Sequence, residues 1–170
     1  MFEHITQDVG TVVLSNLDAA YRLARWHFRT EHEAESVVRD ASEKAFRECS
    51  TFSAGTGRVW FLRMVSRLCA ERNARRGGFD AITGEWHGGN GSHGGSHLPG
   101  NNDVTQLEEA IRSLPPNLRE VLVLRELEGL SYRELADLLD VPMETVTVML
   151  SHSRQALGHA LTEVLVAGAS

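Results

Sequence analysis

Apolar residues recur at helical spacing through most of the chain, and no stretch alternates apolar and polar residues as a half-buried strand would. Residues 12–29 form a first broad apolar stripe, predicted to be one helix. A second stripe covers residues 34–46, and the Thr30 and Glu33 pair before it is typical of a capping box. A third helix is predicted over residues 58–76. The first half is therefore predicted to be all-helical.

The second half also shows helical patterns, but its helices are shorter and separated by turn signals. Residues 104–112 predict a short helix, and residues 116–128 predict another that begins at a proline and stops at a glycine. Residues 131–139 begin with a serine–glutamate capping box. A tight turn at 140–141 precedes a last helix opened by Pro142. Two helices joined by a short turn are typical of a helix-turn-helix.

A glycine-rich stretch separates the two halves. Residues 77–100 hold nine of the fifteen glycines in the 170-residue chain, with few apolar residues. Such a stretch cannot bury enough surface to fold by itself, so it predicts a flexible linker rich in glycine and histidine. We expect an all-α protein of two small helical domains: 1–78, then a linker over 79–103, then a helix-turn-helix domain over 104–170.

Charge is distributed unevenly along this acidic chain, whose formal net charge is −6. Residues 1–79 carry a net charge of +2, whereas residues 104–170 carry −5. Six arginines between positions 58 and 76 face one acid, Glu71. A local basic stripe on an acidic protein indicates a limited contact with a polyanion.

The remaining composition favours a cytoplasmic protein. No apolar run approaches the roughly 18 residues that span a bilayer, so no membrane insertion is expected. The first thirty residues lack the features of an export signal, and two cysteines are too few for a disulfide framework. Three linker histidines lack the spacing of a rigid metal site, so we predict no metal and no cofactor: His87, His93 and His97.

Four segments resemble a known family. Residues 131–146, SYRELADLLDVPMETV, resemble the promoter-reading helix-turn-helix of extracytoplasmic-function (ECF) sigma factors, and residues 114–125 resemble its lead-in helix. Residues 33–40, EAESVVRD, are similar to the family's core-polymerase-binding helix. Residues 60–65, WFLRMV, resemble the helix after its promoter-melting loop. The segments occur in family order across both halves.

The resemblance implies a dissociable subunit of bacterial RNA polymerase, without catalytic residues, whose partners are core RNA polymerase, promoter DNA and an anti-sigma factor. The residues it implies for binding core polymerase are Glu35, Ser36, Arg39 and Asp40. Those it implies for promoter opening are Arg58, Trp60, Arg63 and Arg67. Those it implies for reading the upstream element are Glu144, Thr145, Thr147, Ser151, His152 and Arg154.

Each assignment has a plainer alternative. Trp60 lies among apolar residues and fits core packing, and Arg63 and Arg67 fit an ordinary solvated helix face. The polymerase-binding set fits a solvated face equally. The recognition helix also departs from its family: the run from Glu144 to Met149 stands where members often have Gly-Thr-Val-Lys-Ser-Arg, which removes two cations and adds a carboxylate.

Two other functions stay open. One is a DNA-binding regulator that uses only the helix-turn-helix, with the first half serving for dimerisation or sensing. The other is a sigma-like interaction protein with weakened promoter reading, for instance a decoy. An enzyme is not expected, because no nucleophile–base pair, phosphate loop or carboxylate pair occurs at a useful spacing.

Overall fold

The computed structural model describes residues 2–48, 57–75 and 102–168. Within these ranges the chain forms helices and no strand. The eight helices are α1 (Phe2–Ser15), α2 (Leu17–His27), α3 (Glu31–Arg47), α4 (Gly57–Arg75), α5 (Asn102–Ser113), α6 (Pro116–Glu126), α7 (Tyr132–Leu139) and α8 (Met143–Gly168). The all-α prediction is confirmed.

The helix predicted over residues 12–29 is wrong as a single element, because the chain breaks at Asn16. Asn16 has φ −119° and ψ 9°, and its side-chain Nδ2 donates to the Val12 carbonyl at 2.8 Å. An asparagine side chain competes with the backbone for helical carbonyls, which explains the break between α1 and α2.

The N-terminal helices, α1–α4, pack around small and branched apolar side chains. α2, α3 and α4 contact one another, and α1 lies against α3 and α4. The Thr30 hydroxyl accepts from the Glu33 amide at 3.4 Å and so caps α3. The inner stripe of α3 is Ala34, Val37, Val38, Ala41 and Ala45.

Phe46 departs from the predicted stripe. It follows Ala45 and lies about 100° further around α3, so its ring lies at the edge of the core, beside Gly10 of α1. The residue is 45% exposed. The prediction that Phe46 belongs to the buried stripe is therefore wrong.

Among the C-terminal helices, α5–α8, the last helix contacts the other three: α8 lies against α5, α6 and α7. After α6 the chain turns back at Gly129, whose φ of +69° is a left-handed conformation favoured by glycine. The two groups of helices also touch each other, α2 against α6 and α4 against α7. Their buried apolar side chains form one continuous cluster.

The boundaries of the two predicted domains stay a prediction. Most of the predicted linker lies outside the described residues, as do its three histidines, although residues 102 and 103 already belong to α5. Among the described helices none is both long enough and apolar enough to cross a bilayer.

Candidate functional site

The turn between α7 and α8 is fixed at both ends by local chemistry. At the start of α7, the Ser131 amide donates to Glu134 Oε2 at 2.7 Å, and the Glu134 amide donates to Ser131 Oγ at 3.2 Å. This complete capping box confirms the predicted helix start. At the end of α7, Asp140 adopts φ 57°, a left-handed conformation that aspartate tolerates. α7 and α8 therefore form a helix-turn-helix.

One side of α8 is buried and the other is open to solvent. Val146, Leu150 and Ser153 are each fully buried against the rest of the C-terminal helices. The upstream-reading residues named from the resemblance are all exposed on α8: Glu144, Thr145, Thr147, Ser151, His152 and Arg154. The Thr147 hydroxyl donates to the Met143 carbonyl at 3.1 Å, which limits the directions in which it can serve another partner.

Arg154 already has a partner within the C-terminal helices. Its Nη2 donates to Glu126 Oε1 at 2.8 Å, with each side chain about half exposed. The hydrogen bond with Glu126, aided by Tyr132, raises the pKa of Arg154 above its ordinary value. A phosphate would have to compete with Glu126 for this guanidinium.

The residues predicted to open the promoter divide between two faces of α4. Trp60, Arg63 and Arg67 lie within about 60° of one another around the helix. Trp60 and Arg63 are half-buried, with Trp60 packed against the core, whereas Arg67 is exposed. Arg58 lies about 160° from Trp60 and instead contacts Glu128, beyond α6. The structure thus brings three of the four predicted residues together.

The predicted polymerase-binding residues also divide into two pairs. Glu35 and Arg39 are exposed on α3. Ser36 and Asp40 both accept hydrogen bonds from Arg72 of α4, the first at 3.2 Å, so they connect two helices. Phe46 lies within about 40° of Glu35 and Arg39 around α3, and sequence analysis missed it as a surface residue.

A second set of residues joins the two groups of helices, and sequence analysis named only Arg58 among them. Glu128, with a side chain only 1% exposed, accepts from Arg22 Nε at 2.8 Å and from Arg22 Nη2 at 3.0 Å. Arg58 Nη2 donates to Glu128 Oε2 at 3.2 Å and to the Glu128 carbonyl at 2.8 Å. The Glu128 carboxylate therefore binds two arginines from the other group of helices.

Arginines of the C-terminal helices bind the end of α2 in return. Arg119 Nη1 donates to the Trp26 carbonyl at 2.6 Å, and Arg112 Nη1 donates to the Arg25 carbonyl at 3.2 Å. The Arg112 guanidinium also lies 5.0 Å from the centre of the Trp26 ring, within cation–π range. Burial, together with the charges of Arg112 and Arg29, lowers the pKa of Arg119 to about 10, so it is still charged at neutral pH.

Buried polar groups also lie between the N-terminal and the C-terminal helices. His27 Nε2 is 3.7 Å from Glu120 Oε1, too long for a hydrogen bond but close enough for an ion pair when the imidazole is protonated. Burial raises the pKa of Glu120, whereas His27 and the Ser66 hydroxyl lower it. The lowering is the larger effect, so the pKa of Glu120 lies below its ordinary value. Burial raises the pKa of the nearby Cys69 thiol, so it is an unreactive part of the core. Within the described ranges no group of acids, histidines and cysteines could hold a metal ion.

Comparison with known proteins finds similarity to RNA polymerase sigma factors. Residues 105–157 match the family of sigma-70, region 4. The ECF RNA polymerase sigma factor SigE of Mycolicibacterium smegmatis is 29% identical over 155 residues, which cover 86% of this chain and 58% of that protein. The ECF RNA polymerase sigma-E factor of Escherichia coli is 30% identical over 149 residues, covering 78% of this chain and 76% of that protein.

The fold also has a solved counterpart. The sigma factor RpoE of Bartonella quintana, crystallised in complex with the anti-sigma factor NepR, superimposes with a TM-score of 0.71. The match covers 92% of this chain and 98% of that chain at 22% sequence identity, and it shows that the folds are alike.

Proposed function

This chain belongs to the extracytoplasmic-function family of RNA polymerase sigma factors, and on that premise we propose that it binds core RNA polymerase and directs it to promoters. The observation that carries the proposal is the face of α8. Six polar or charged residues are exposed on a helix whose opposite side is held by Val146, Leu150 and Ser153. Val148 is 53% exposed among these residues, and a helix that is anchored on one side and mostly polar on the other suits the major groove of DNA.

In this proposal α3 binds the polymerase. Glu35 and Arg39 offer both charge signs, and the half-exposed ring of Phe46 offers apolar contact area on the same stripe. An aromatic side chain flanked by charged residues is a common arrangement at protein–protein interfaces. Ser36 and Asp40 act indirectly, because their hydrogen bonds to Arg72 hold α3 against α4.

The exposed side of α4 serves promoter opening. Arg63 and Arg67 supply cations one helical turn apart, and Trp60 lies beside them with part of its ring accessible. Single-stranded nucleic acid is bound by this combination of stacking surface and positive charge. Unpairing DNA costs a few kcal/mol, which such contacts offset.

The remaining parts of the proposal concern partners and setting. The Bartonella sigma factor was solved with an anti-sigma factor, which supports a partner of that class for this chain. The chain would act in the cytoplasm beside its polymerase. It is assigned no catalytic group and no cofactor.

The test is transcription in vitro with purified core RNA polymerase on genomic DNA, with transcript starts mapped. The full chain should create starts that core polymerase alone does not make. A double variant, Glu35→Ala with Arg39→Ala, should weaken core binding by roughly tenfold or more. Glu48→Ala is the control, because it removes an exposed acid just beyond the end of α3, more than three helical turns from Glu35. Transcripts indistinguishable from those of core polymerase alone would refute the proposal.

A second function is favoured by the acidity of the C-terminal helices and by Glu144 at the start of α8. Residues 104–170 carry a net charge of −5, which repels DNA at long range. A sigma-like interaction protein that no longer reads promoters would bind core polymerase in the same assay but yield no new starts. A regulator that works through the helix-turn-helix alone would instead bind a specific sequence without polymerase.

A further inference from the structure

We propose that Val148 contacts the methyl group of a thymine in the major groove and thereby supplies part of the sequence preference of α8. The inference rests on the proposed function, because it names what the exposed side of α8 recognises. Val148 is an apolar residue at the middle of a side that is otherwise polar, and no cation is needed for its contact with a base.

The position of Val148 on α8 is opposite the buried side of the helix. It is two residues from Val146 and two from Leu150, so it lies about 160° around the helix from each of them. Those two residues are fully buried, whereas Val148 is 53% exposed. A side chain opposite the anchored side of a recognition helix faces the base edges when the helix lies in the groove. Val148 is therefore placed to reach a base.

The surroundings of Val148 favour DNA over a protein partner. Side chains three and four positions away are its neighbours on the helix surface, and all of them are polar and exposed: Glu144, Thr145, Ser151 and His152. Met143 is also exposed, but it lies about 140° away around α8. The centre of a protein interface is usually an apolar patch, which a single valine among polar side chains does not form.

The chemistry of the base edges identifies the target. Among the four unmodified bases, only thymine presents a methyl group in the major groove, and apolar side chains recognise thymine by contact with it. Valine keeps one strongly preferred χ1 rotamer in a helix, so its two methyl groups are already fixed in position before binding. Glu144, about 40° away around α8, can accept from the amino group of cytosine. The two side chains would thus distinguish the two pyrimidines without the cations that the family often has here.

The test begins with selection from a duplex library that is randomised over the upstream element. Selection is performed with the full chain alone and with the full chain bound to core polymerase. Each thymine of the selected sequence is then replaced by deoxyuridine, which removes the methyl group and keeps the pairing edge. Affinity for each duplex is measured for the wild type, Val148→Ala and Val166→Ala. Val166→Ala is the matched control, because it makes the same change at a 65% exposed valine about five turns further along α8.

We expect one thymine position at which the effect of deoxyuridine depends on residue 148. There the loss of the methyl group should weaken binding by the wild type and by Val166→Ala about fourfold, the factor expected for one buried carbon group. Val148→Ala should bind the thymine and deoxyuridine duplexes equally well. This variant should keep its helix content by circular dichroism, because the side chain is half exposed and alanine favours a helix.

The outcomes separate the thymine contact from the proposed function. Equal sensitivity of the wild type and Val148→Ala to deoxyuridine at every position, or no sensitivity in either, would overturn the contact. A selection that yields no preferred sequence, or one without thymine, would overturn it as well. New transcripts in any of these cases would leave the sigma-factor function standing without the contact. If the chain selects a sequence whose binding shows the expected dependence on residue 148 but supports no transcription, the contact stands and the sigma-factor function fails.

Discussion

Two substitutions on α8 should separate sequence preference from general DNA affinity. Glu144→Ala should change which upstream sequence is preferred, because an exposed carboxylate in the first turn of α8 can accept from the amino group of cytosine. Arg154→Ala should instead lower activity on every promoter, because a guanidinium further along the helix would bind a phosphate.

The expected magnitudes follow from the contacts. A base-edge contact discriminates by about 1–3 kcal/mol, or roughly 5- to 150-fold between the best and a substituted base. One phosphate contact changes the slope of log affinity against log salt concentration by about 0.9. Arg154→Ala should therefore reduce the loss of affinity over a fourfold rise in salt by a factor of about 3.5. Part of the Arg154 contribution is offset, since the guanidinium must first release Glu126, an exposed pair worth about 0.2–1 kcal/mol.

The assay selects active promoters from a library with a randomised upstream element, with core polymerase present. Each variant is compared with the wild type and with Glu163→Ala, which removes another exposed acid of α8 some five turns further on. The control should match the wild type in both sequence preference and salt dependence. If Glu144→Ala and Arg154→Ala also match it, α8 does not read the upstream element and the interaction-protein alternative is favoured.

Four further predictions concern promoter opening and stability. Arg63→Ala with Arg67→Ala should reduce permanganate reactivity of bubble thymines without reducing holoenzyme assembly, and equal loss in both assays would contradict the assignment. Ser131→Ala should lower the free energy of unfolding by about 0.5–2 kcal/mol in urea titrations, because it removes the cap of α7. Hydrogen bonds from the Ser131 amide and hydroxyl lower the pKa of Glu134, so the stabilisation by its carboxylate is present above about pH 4.5 and is lost as pH falls further. Glu134→Gln should therefore reduce the loss of unfolding free energy between neutral and acid pH. An unchanged loss would exclude Glu134 as its source. Leu124→Ala should cost about 2–5 kcal/mol, because the side chain is fully buried, and a smaller loss would mean that the site collapses around the cavity.

Local signals in the sequence predicted the helices well. The capping box at Ser131 and the left-handed turn at Asp140 depend on residues within a few positions of each other, and the structure confirms both. The same local logic failed at Asn16, where one side chain competes for a helical carbonyl inside an otherwise continuous apolar stripe. Apolar periodicity alone does not reveal that competition.

The site was harder to predict because its decisive contacts join distant parts of the chain. The exposed set on α8 follows from helical periodicity, since Val146 and Leu150 mark the opposite side. Nothing near Glu128 in the sequence indicates that it would be buried, and nothing near Arg58 indicates that a carboxylate 70 residues away would bind it. The resemblance grouped Arg58 with Trp60 as promoter-opening residues, but the two lie on different sides of α4, because they are two positions apart on a helix.

The single apolar cluster shared by both groups of helices makes the closed chain one cooperative folding unit. Heat should therefore melt the free protein in a single transition, not group by group. Each group by itself would bury a smaller fraction of its surface than the joined pair does, and small bodies are only marginally stable. A chain in which the two groups separate would therefore be more accessible to proteases than the joined pair.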